Sequence, residues 1–192
     1  SRESTCPYPE GGHVRHIGLL VVTHNQCQNM VAWLTEFQRL FCRVEGLRLL
    51  VLDNASQDDT VPTVRSKFPY VDIRKLNQNY GCTVGRNIGI VELARLGCEF
   101  YCSLDNDVYL EQPDFFDAML AACAESPEVH GFAPVLRWGD DRSIATLGSR
   151  RAWYGVSRAV TRFTDERRVE WIPGGACFLR MSTFRRFGLY DM

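Results

Sequence analysis

The sequence predicts an α/β fold: a mostly parallel, doubly wound sheet with helices on both faces. Two observations predict it. Short apolar runs rich in β-branched residues alternate with longer stretches of helical period, and the first two runs are apolar at nearly every position, as strands covered on both faces must be. A third observation agrees: these runs end in polar residues, and the ends of parallel strands are where such sheets gather ligands.

Taken in order, residues 1–16 hold Pro7, Pro9, Gly11 and Gly12 among polar neighbours and are expected to form an irregular lead-in. Strands are expected over Ile17 to Thr23, Leu47 to Asp53, Val71 to Leu76 and Glu99 to Asp105. Between the first two, Val31, Leu34, Phe37, Leu40 and Phe41 recur near 3.6 residues and predict a helix over 28–41. Ser56 with Asp59 has capping-box spacing, and Pro62 falls in the first turn of the helix that follows. Val84, Ile88 and Val91 mark one face of a third helix that stops at Gly97. Repeated strand and helix without a break argue for a parallel sheet wound right-handedly.

Beyond Asp107 the alternation weakens. Residues 111–125 predict a helix with Pro113 in its first turn, 129–136 a strand, and Arg150 to Trp171 a hairpin or a loop. Trp171 to Arg180 is strand-like around a Pro-Gly-Gly break, and Met181 to Phe187 predicts a short helix. With no repeat and no low-complexity linker, 17–192 is expected to be a single domain.

Composition removes several classes of function. A net charge of -1 with both signs interspersed offers no basic stripe for nucleic acid. No apolar run approaches the roughly 20 residues of a membrane helix, so no transmembrane segment is expected. The start carries no basic region followed by an apolar one, which gives secretion no support and makes the cytoplasm the expected location. Most of the eight cysteines lie in apolar or helix-like runs and none forms a CxxC pair, so reduced, buried thiols are expected rather than a disulfide framework. Ser1 in place of an initiator Met, and an end at Met192 just after a helix-like segment, are what a piece of a longer protein would show.

Chemistry collects at the strand ends: Thr23-His24-Asn25, Asp53-Asn54, Asn77-Gln78-Asn79 and Asp105-Asn106-Asp107. Each could be only a turn or a cap, since Asn and Asp favour both, but four in succession favour one shared site. Asp105 and Asp107, one residue apart where a strand opens into a loop, could converge on a hard divalent cation, Mg²⁺ or Mn²⁺, and through it on a diphosphate. Gly81 to Gly89 places Arg86 and Asn87 in what reads as the first turn of a helix, where free N–H groups and the macrodipole attract an anion. Gly85 and Gly89 serve either packing or function. Asp53 could accept a hydrogen bond from a base N–H, with Thr23 and Asn25 on the same base, or could cap the next turn with Asn54. His24 reads as a steric or hydrogen-bonding neighbour rather than a catalyst. The loop from Thr23 to Gln28 has no glycine, so the dinucleotide fingerprint is missing, and no P-loop, His-Glu-x-x-His or Gly-x-Ser-x-Gly occurs.

The ordered set Thr23-His24-Asn25, Asp53 to Thr60, Asn79-Tyr80-Gly81 with Gly85-Arg86-Asn87-Ile88-Gly89, Asp105-Asn106-Asp107, and Pro173-Gly174-Gly175-Ala176 before Phe184 to Asp191 resembles the inverting family-2 glycosyltransferases of GT-A fold, with the rhamnosyltransferase-like branch nearest. The resemblance runs from about residue 17 to the end and implies a nucleotide-diphosphate-sugar donor, UDP-, dTDP- or GDP-linked. It implies that Thr23, Asn25 and Asp53 hold the base, Asn79 and Arg86 the nucleoside and diphosphate, and Asp105 and Asp107 the metal-bound diphosphate, with Asp107 as the direct ligand. Gly174 and Gly175 would let the backbone approach the sugar or acceptor. The acceptor would be a saccharide or a lipid-linked one, placing the enzyme at the periphery of a membrane. The family's catalytic base lies beyond the segment matched by Gly188 to Asp191, so it is expected beyond Met192, and the 192 residues are expected to be inactive alone. The alternatives are a nucleotide-sugar-binding or regulatory module without transfer, which the presence of both Asp105 and Asp107 disfavours, and a sugar-nucleotidyltransferase, which would need a Gly-rich loop after the first strand.

Overall fold

The computed structural model describes residues 16–41, 44–151, 156–163 and 168–191. The lead-in, apart from His16, and Cys42 lie outside the described residues. In chain order the elements are β1 (Ile17–Thr23), α1 (Cys27–Phe41), β2 (Leu47–Asp53), α2 (Thr60–Lys67), β3 (Asp72–Lys75), α3 (Gly81–Arg95), β4 (Phe100–Leu104), α4 (Phe115–Glu125), β5 (Gly131–Phe132), β6 (Leu136–Arg137), β7 (Ile144–Thr146), β8 (Ser149–Arg151), β9 (Ser157–Ala159), β10 (Ala176–Arg180) and α5 (Met181–Phe187). The main sheet runs β3-β2-β1-β4-β10-β5. Its first four strands are parallel, while β10 returns antiparallel between β4 and β5.

Successive side chains of a strand point to opposite faces, and β1 divides accordingly. Ile17, Leu19 and Val21 join a core with Trp33, Leu34 and Phe37 of α1, Val61 and Val64 of α2, and Phe116 of α4. Leu20 faces the other way and packs with Ile90 and Leu93 of α3 and Met181 of α5. Both faces are therefore covered, as the apolar runs predict. On α1, Trp33 stacks on Phe37 and Phe37 on Phe41, with centroids 5.0 Å and 5.2 Å apart, and Phe41 meets Phe116 edge-on at 5.5 Å, which fastens α1 to α4.

The third helix ends as expected. Gly97 adopts φ +79°, and its N–H and that of Cys98 bond back to Ala94 and Leu93 carbonyls. The face it buries is different. Gly85, Asn87, Gly89, Ile90 and Leu93 are buried, while Val84, Ile88 and Val91 are only half-buried. The cause is the glycines: a Cβ on Gly89 would lie 3.0 Å from Leu20 Cγ and one on Gly18 3.0 Å from Leu93 Cγ, so α3 lies directly on β1 where no side chain fits. For Gly85 and Gly89 the packing reading holds.

Three more expectations need correction. Ser56 and Asp59 make no capping box, because Ser56 Oγ accepts the Asn25 N–H instead, and Asp58 accepts the Thr60 N–H at the helix start. The fourth helix begins at Phe115, with Pro113 ahead of it, and the strand expected over 129–136 is reduced to two short pieces, β5 and β6, in different sheets. Of the two readings for Arg150 to Trp171, the described part favours the hairpin: β8 pairs antiparallel with β9, and Trp171 bridges to Ser149. The Arg180 side chain, at the end of β10, donates to the carbonyls of Val129, Ser126 and Cys123 and so closes the carboxyl end of α4.

Candidate donor-binding site

From β1 the chain proceeds through α1 to β2 and β3 on one side, then returns through α3 to β4 on the other. The carboxyl ends of β1 and β4 therefore flank the topological switch of the sheet, the place where open α/β sheets leave a crevice. A cleft of about 390 Å³ lies there. Thr23, His24 and Gln26 line it from the end of β1, Asn54 from the end of β2, Asn79 from the loop into α3, Gly81 and Cys82 from the first turn of α3, and Asp105, Asn106 and Asp107 from the end of β4.

Of the residues the sequence singles out, Thr23, Asn79, Asp105 and Asp107 line the cleft, whereas Asn25, Asp53 and Arg86 are not among its lining residues. Asn25, at φ 52°, donates its N–H to Ser56 Oγ at 2.8 Å and accepts the Gln57 N–H at 2.7 Å, which stitches the β1 loop to the β2 loop. Asp53 is fully buried. Its Oδ1 accepts the Ser56 N–H at 2.9 Å, whereas Oδ2 and the neighbouring Thr23 Oγ1 are buried with no partner among the described residues. Asn54 donates to the Gly81 carbonyl and accepts the Tyr80 N–H, fixing the start of α3, and Asn79 accepts the Gly81 N–H at 2.9 Å.

Arg86 is not in the first turn of its helix. Since α3 starts at Gly81, the backbone N–H groups near Arg86 are already engaged and the macrodipole argument does not reach it. Its guanidinium instead donates to Asp105 Oδ1 at 2.8 Å. Burial is the largest single influence and opposes the charge on Arg86, but the Asp105 carboxylate and the other neighbouring groups together outweigh it and the net shift of the pKa is upward. Asn87 is committed within the protein as well: its amide donates to the Tyr190 carbonyl at 2.9 Å and accepts the Tyr190 N–H at 3.0 Å, holding the Gly188 to Asp191 segment under α3. Gly174 and Gly175 face this ion pair. A Cβ on Gly174 would lie 3.0 Å from Arg86 Nη1, one on Gly175 would collide with the Asp105 carboxylate, and the Gly175 carbonyl accepts the Asp105 N–H at 2.8 Å.

Asp105 keeps 41% of its side chain exposed despite the pairing, and Asp107 is exposed beside it. Among the described residues no three His, Cys, Asp or Glu side chains gather as a metal cage. Two carboxylates at the mouth of a cleft suit Mg²⁺ or Mn²⁺ bound mainly through ligand phosphates and water, so the donor set fits. Residues the sequence reading passed over are Gln26, which bonds Asn106 across the β1 and β4 ends, and Cys82. No pattern in the sequence pairs positions so far apart.

The thiols divide by burial. Cys98, Cys102, Cys123 and Cys177 are buried, with Cys98 and Cys177 pushed up to about 11 by burial, while Cys82 is exposed and Cys27 half-buried. Only the thiolate alkylates. Iodoacetamide at mildly alkaline pH, followed by peptide mapping, is expected to modify Cys82 and Cys27 in the native protein and the four buried thiols only in denaturant. Rapid native labelling of Cys98 or Cys177 would contradict the packing described.

Several known structures of similar shape are glycosyltransferases. The mannosyltransferase PcManGT from Pyrobaculum calidifontis, in complex with GDP-Man and Mn²⁺, matches with a TM-score of 0.65 and 16% identity over 92% of this chain and 47% of its own. The chain has a GT-A-type fold. S. aureus TarS 1-349 in complex with UDP-GlcNAc matches at 0.66 and 15% identity over 92% of this chain and 48% of its own. GalNAc-T7 with UDP, GalNAc and Mn²⁺ matches at 0.69 and 14% identity over 94% and 38%. This chain thus spans about half the length of the first two and less of the third. No protein-family model and no curated protein matches the sequence. Among the described residues no helix is long and apolar enough to cross a membrane.

Proposed function

We propose that this chain is the donor-binding portion of a glycosyltransferase that moves a sugar from a nucleotide-diphosphate-sugar to an acceptor hydroxyl. The observation that carries the reading is the cleft at the β1 and β4 switch, where Asp105 and Asp107 stand opposite Thr23 and Asn79 in a GT-A-type fold. Asp107 and the exposed edge of Asp105 hold Mg²⁺ or Mn²⁺, which when bound offsets the charge that builds on the departing diphosphate. Arg86 keeps Asp105 oriented and lightens the negative charge of the pair. Thr23 and Asp53 take the base, and Asn79, at the start of α3, lies beside the nucleoside. The Gly174-Gly175 turn backs the ion pair and shapes the sugar side of the cleft.

The sequence resemblance supports further detail: family-2 membership, inversion at the anomeric carbon, a rhamnosyltransferase-like hexosyl transfer, and an acceptor that is a saccharide or lipid-linked, met in the cytoplasm at a membrane surface. The calorimetric test is titration of the protein with UDP-, dTDP- and GDP-sugars, with and without Mn²⁺. One donor is expected to bind, and to need the metal. Failure of all three in both conditions would overturn the proposal.

A further inference from the structure

The Arg-rich stretch between Arg150 and Trp171 contributes no residue to the cleft. In sequence, residues 149–171 carry six Arg against Asp165, Glu166 and Glu170, a net charge of +3 in a chain whose total is -1, so the rest of the chain is acidic. The fold gathers the described residues of this stretch into one unit. β8 and β9 pair so that Arg150 stands opposite Arg158, and Ser149 exchanges backbone hydrogen bonds with Trp171 at 2.9 Å and 3.1 Å. Arg150 donates to the Arg168 carbonyl at 3.1 Å, and the Glu170 carboxylate accepts the Arg151 N–H at 2.8 Å. Arg151, Arg158, Arg162 and Arg168 are exposed, and Arg151 and Arg162 make no ion pair among the described residues.

Large apolar groups share this surface: Phe163 is 69% exposed, Trp171 62% and Val156 56%. A lone exposed apolar side chain is ordinary, but three within one small basic unit form a patch. Like charges directly opposite each other weaken a ladder, and an anionic surface laid against them turns that cost into attraction. A nucleic acid answers the arginines and the rings but offers nothing to Val156, whereas the boundary of an anionic bilayer answers all of them. The place of the patch matters as well. Trp171 is three residues from Gly174, at most about 11 Å of chain, and Gly174 faces the Arg86 guanidinium that pairs with Asp105 of the cleft. The patch therefore stands beside the cleft.

We propose that the β8 and β9 surface docks this protein on an anionic lipid bilayer, its arginines on lipid phosphates and Phe163, Trp171 and Val156 in the headgroup boundary, which holds the cleft close to the membrane. The inference rests on the reading above, in which the acceptor is met at a membrane surface, and its test needs no nucleotide. The test is co-sedimentation of the full-length protein, in about 0.1 M salt, with vesicles of phosphatidylcholine alone or with about 30% phosphatidylglycerol. The mixed vesicles are expected to bind at least about tenfold more tightly, and about 0.5 M salt to remove most of the difference. Variants are first checked for a native thermal melt. Arg151→Ala with Arg162→Ala is expected to lose at least about tenfold on the mixed vesicles, and Phe163→Ala about fivefold. Arg65→Ala with Lys67→Ala, exposed on α2, is expected to stay within about twofold of native. No preference of the native protein for the mixed vesicles overturns the inference even if a variant fails to fold. An equal loss in the α2 variant, or tighter binding to a duplex oligonucleotide than to the mixed vesicles, overturns it too. Parallel titration with nucleotide-sugars separates the two readings: nucleotide binding without vesicle binding overturns the docking surface alone, and vesicle binding without nucleotide binding overturns the donor site alone.

Discussion

Asp107→Ala is expected to lower affinity for the nucleotide-sugar in Mn²⁺ by at least about 100-fold, about 2.7 kcal/mol, while leaving metal-free affinity within about threefold. The asymmetry follows from the geometry. Asp107 is exposed at the cleft mouth and the structure shows no ion pair for it among the described residues, so on the proposed reading its removal takes away a metal ligand and little else. Asp105 is the poorer probe. Removing it also strands the guanidinium of Arg86, whose side chain is 15% exposed, and a largely buried charge without its partner costs stability as well as binding. Paired titrations with and without Mn²⁺ separate the two contributions. An Asp107→Ala protein that keeps its metal dependence would place the cation elsewhere.

Trp33→Ala is expected to cost about 3–5 kcal/mol of stability, a large share of what a domain of this size commonly has. The indole is 2% exposed, stacks on Phe37, and its N–H donates to the Val108 carbonyl at 2.8 Å. That last bond extends its influence to the site. Val108 directly follows Asp107 and its own N–H bonds the Asp105 carbonyl at 3.0 Å, so this indole ties the carboxylate turn to α1. Trp33→Phe keeps most of the apolar volume and deletes the donor. It is expected to fold, to lose about 1–3 kcal/mol in urea denaturation, and to bind Mn²⁺ with the nucleotide-sugar several-fold more weakly. Unchanged Mn²⁺ dependence in that folded variant would show that the turn holds its shape without α1.

Where sequence reasoning succeeded, the signal was local. The four parallel strands, the first helix and the stop at Gly97 follow from period, burial and turn chemistry within a few residues, and the Asp105-Asn106-Asp107 turn follows from its place after an apolar run. What the sequence does not show is a partner distant in the chain. Asn87 and Arg86 are adjacent and polar, and the sequence assigns both to an anion; the fold gives one to the Tyr190 backbone and the other to Asp105. Asn25 has the chemistry of a ligand contact, yet its amide is committed to the loop after β2.

By itself, then, the sequence determined that parallel strands end in polar loops on one edge of a two-faced sheet, because continuous apolar strand runs alternating with amphipathic helices can bury both faces in few other ways. Only the tertiary structure decided which of those polar atoms remain free. A side chain's hydrogen-bonding capacity is fixed by its type, but how much of it is spent depends on which loops meet. Here the meeting of the β1, β2 and β4 ends commits Asn25, Asn54 and Arg86 to partners within the protein, while Thr23, Asn79, Asp105 and Asp107 are brought to the lining of one cleft.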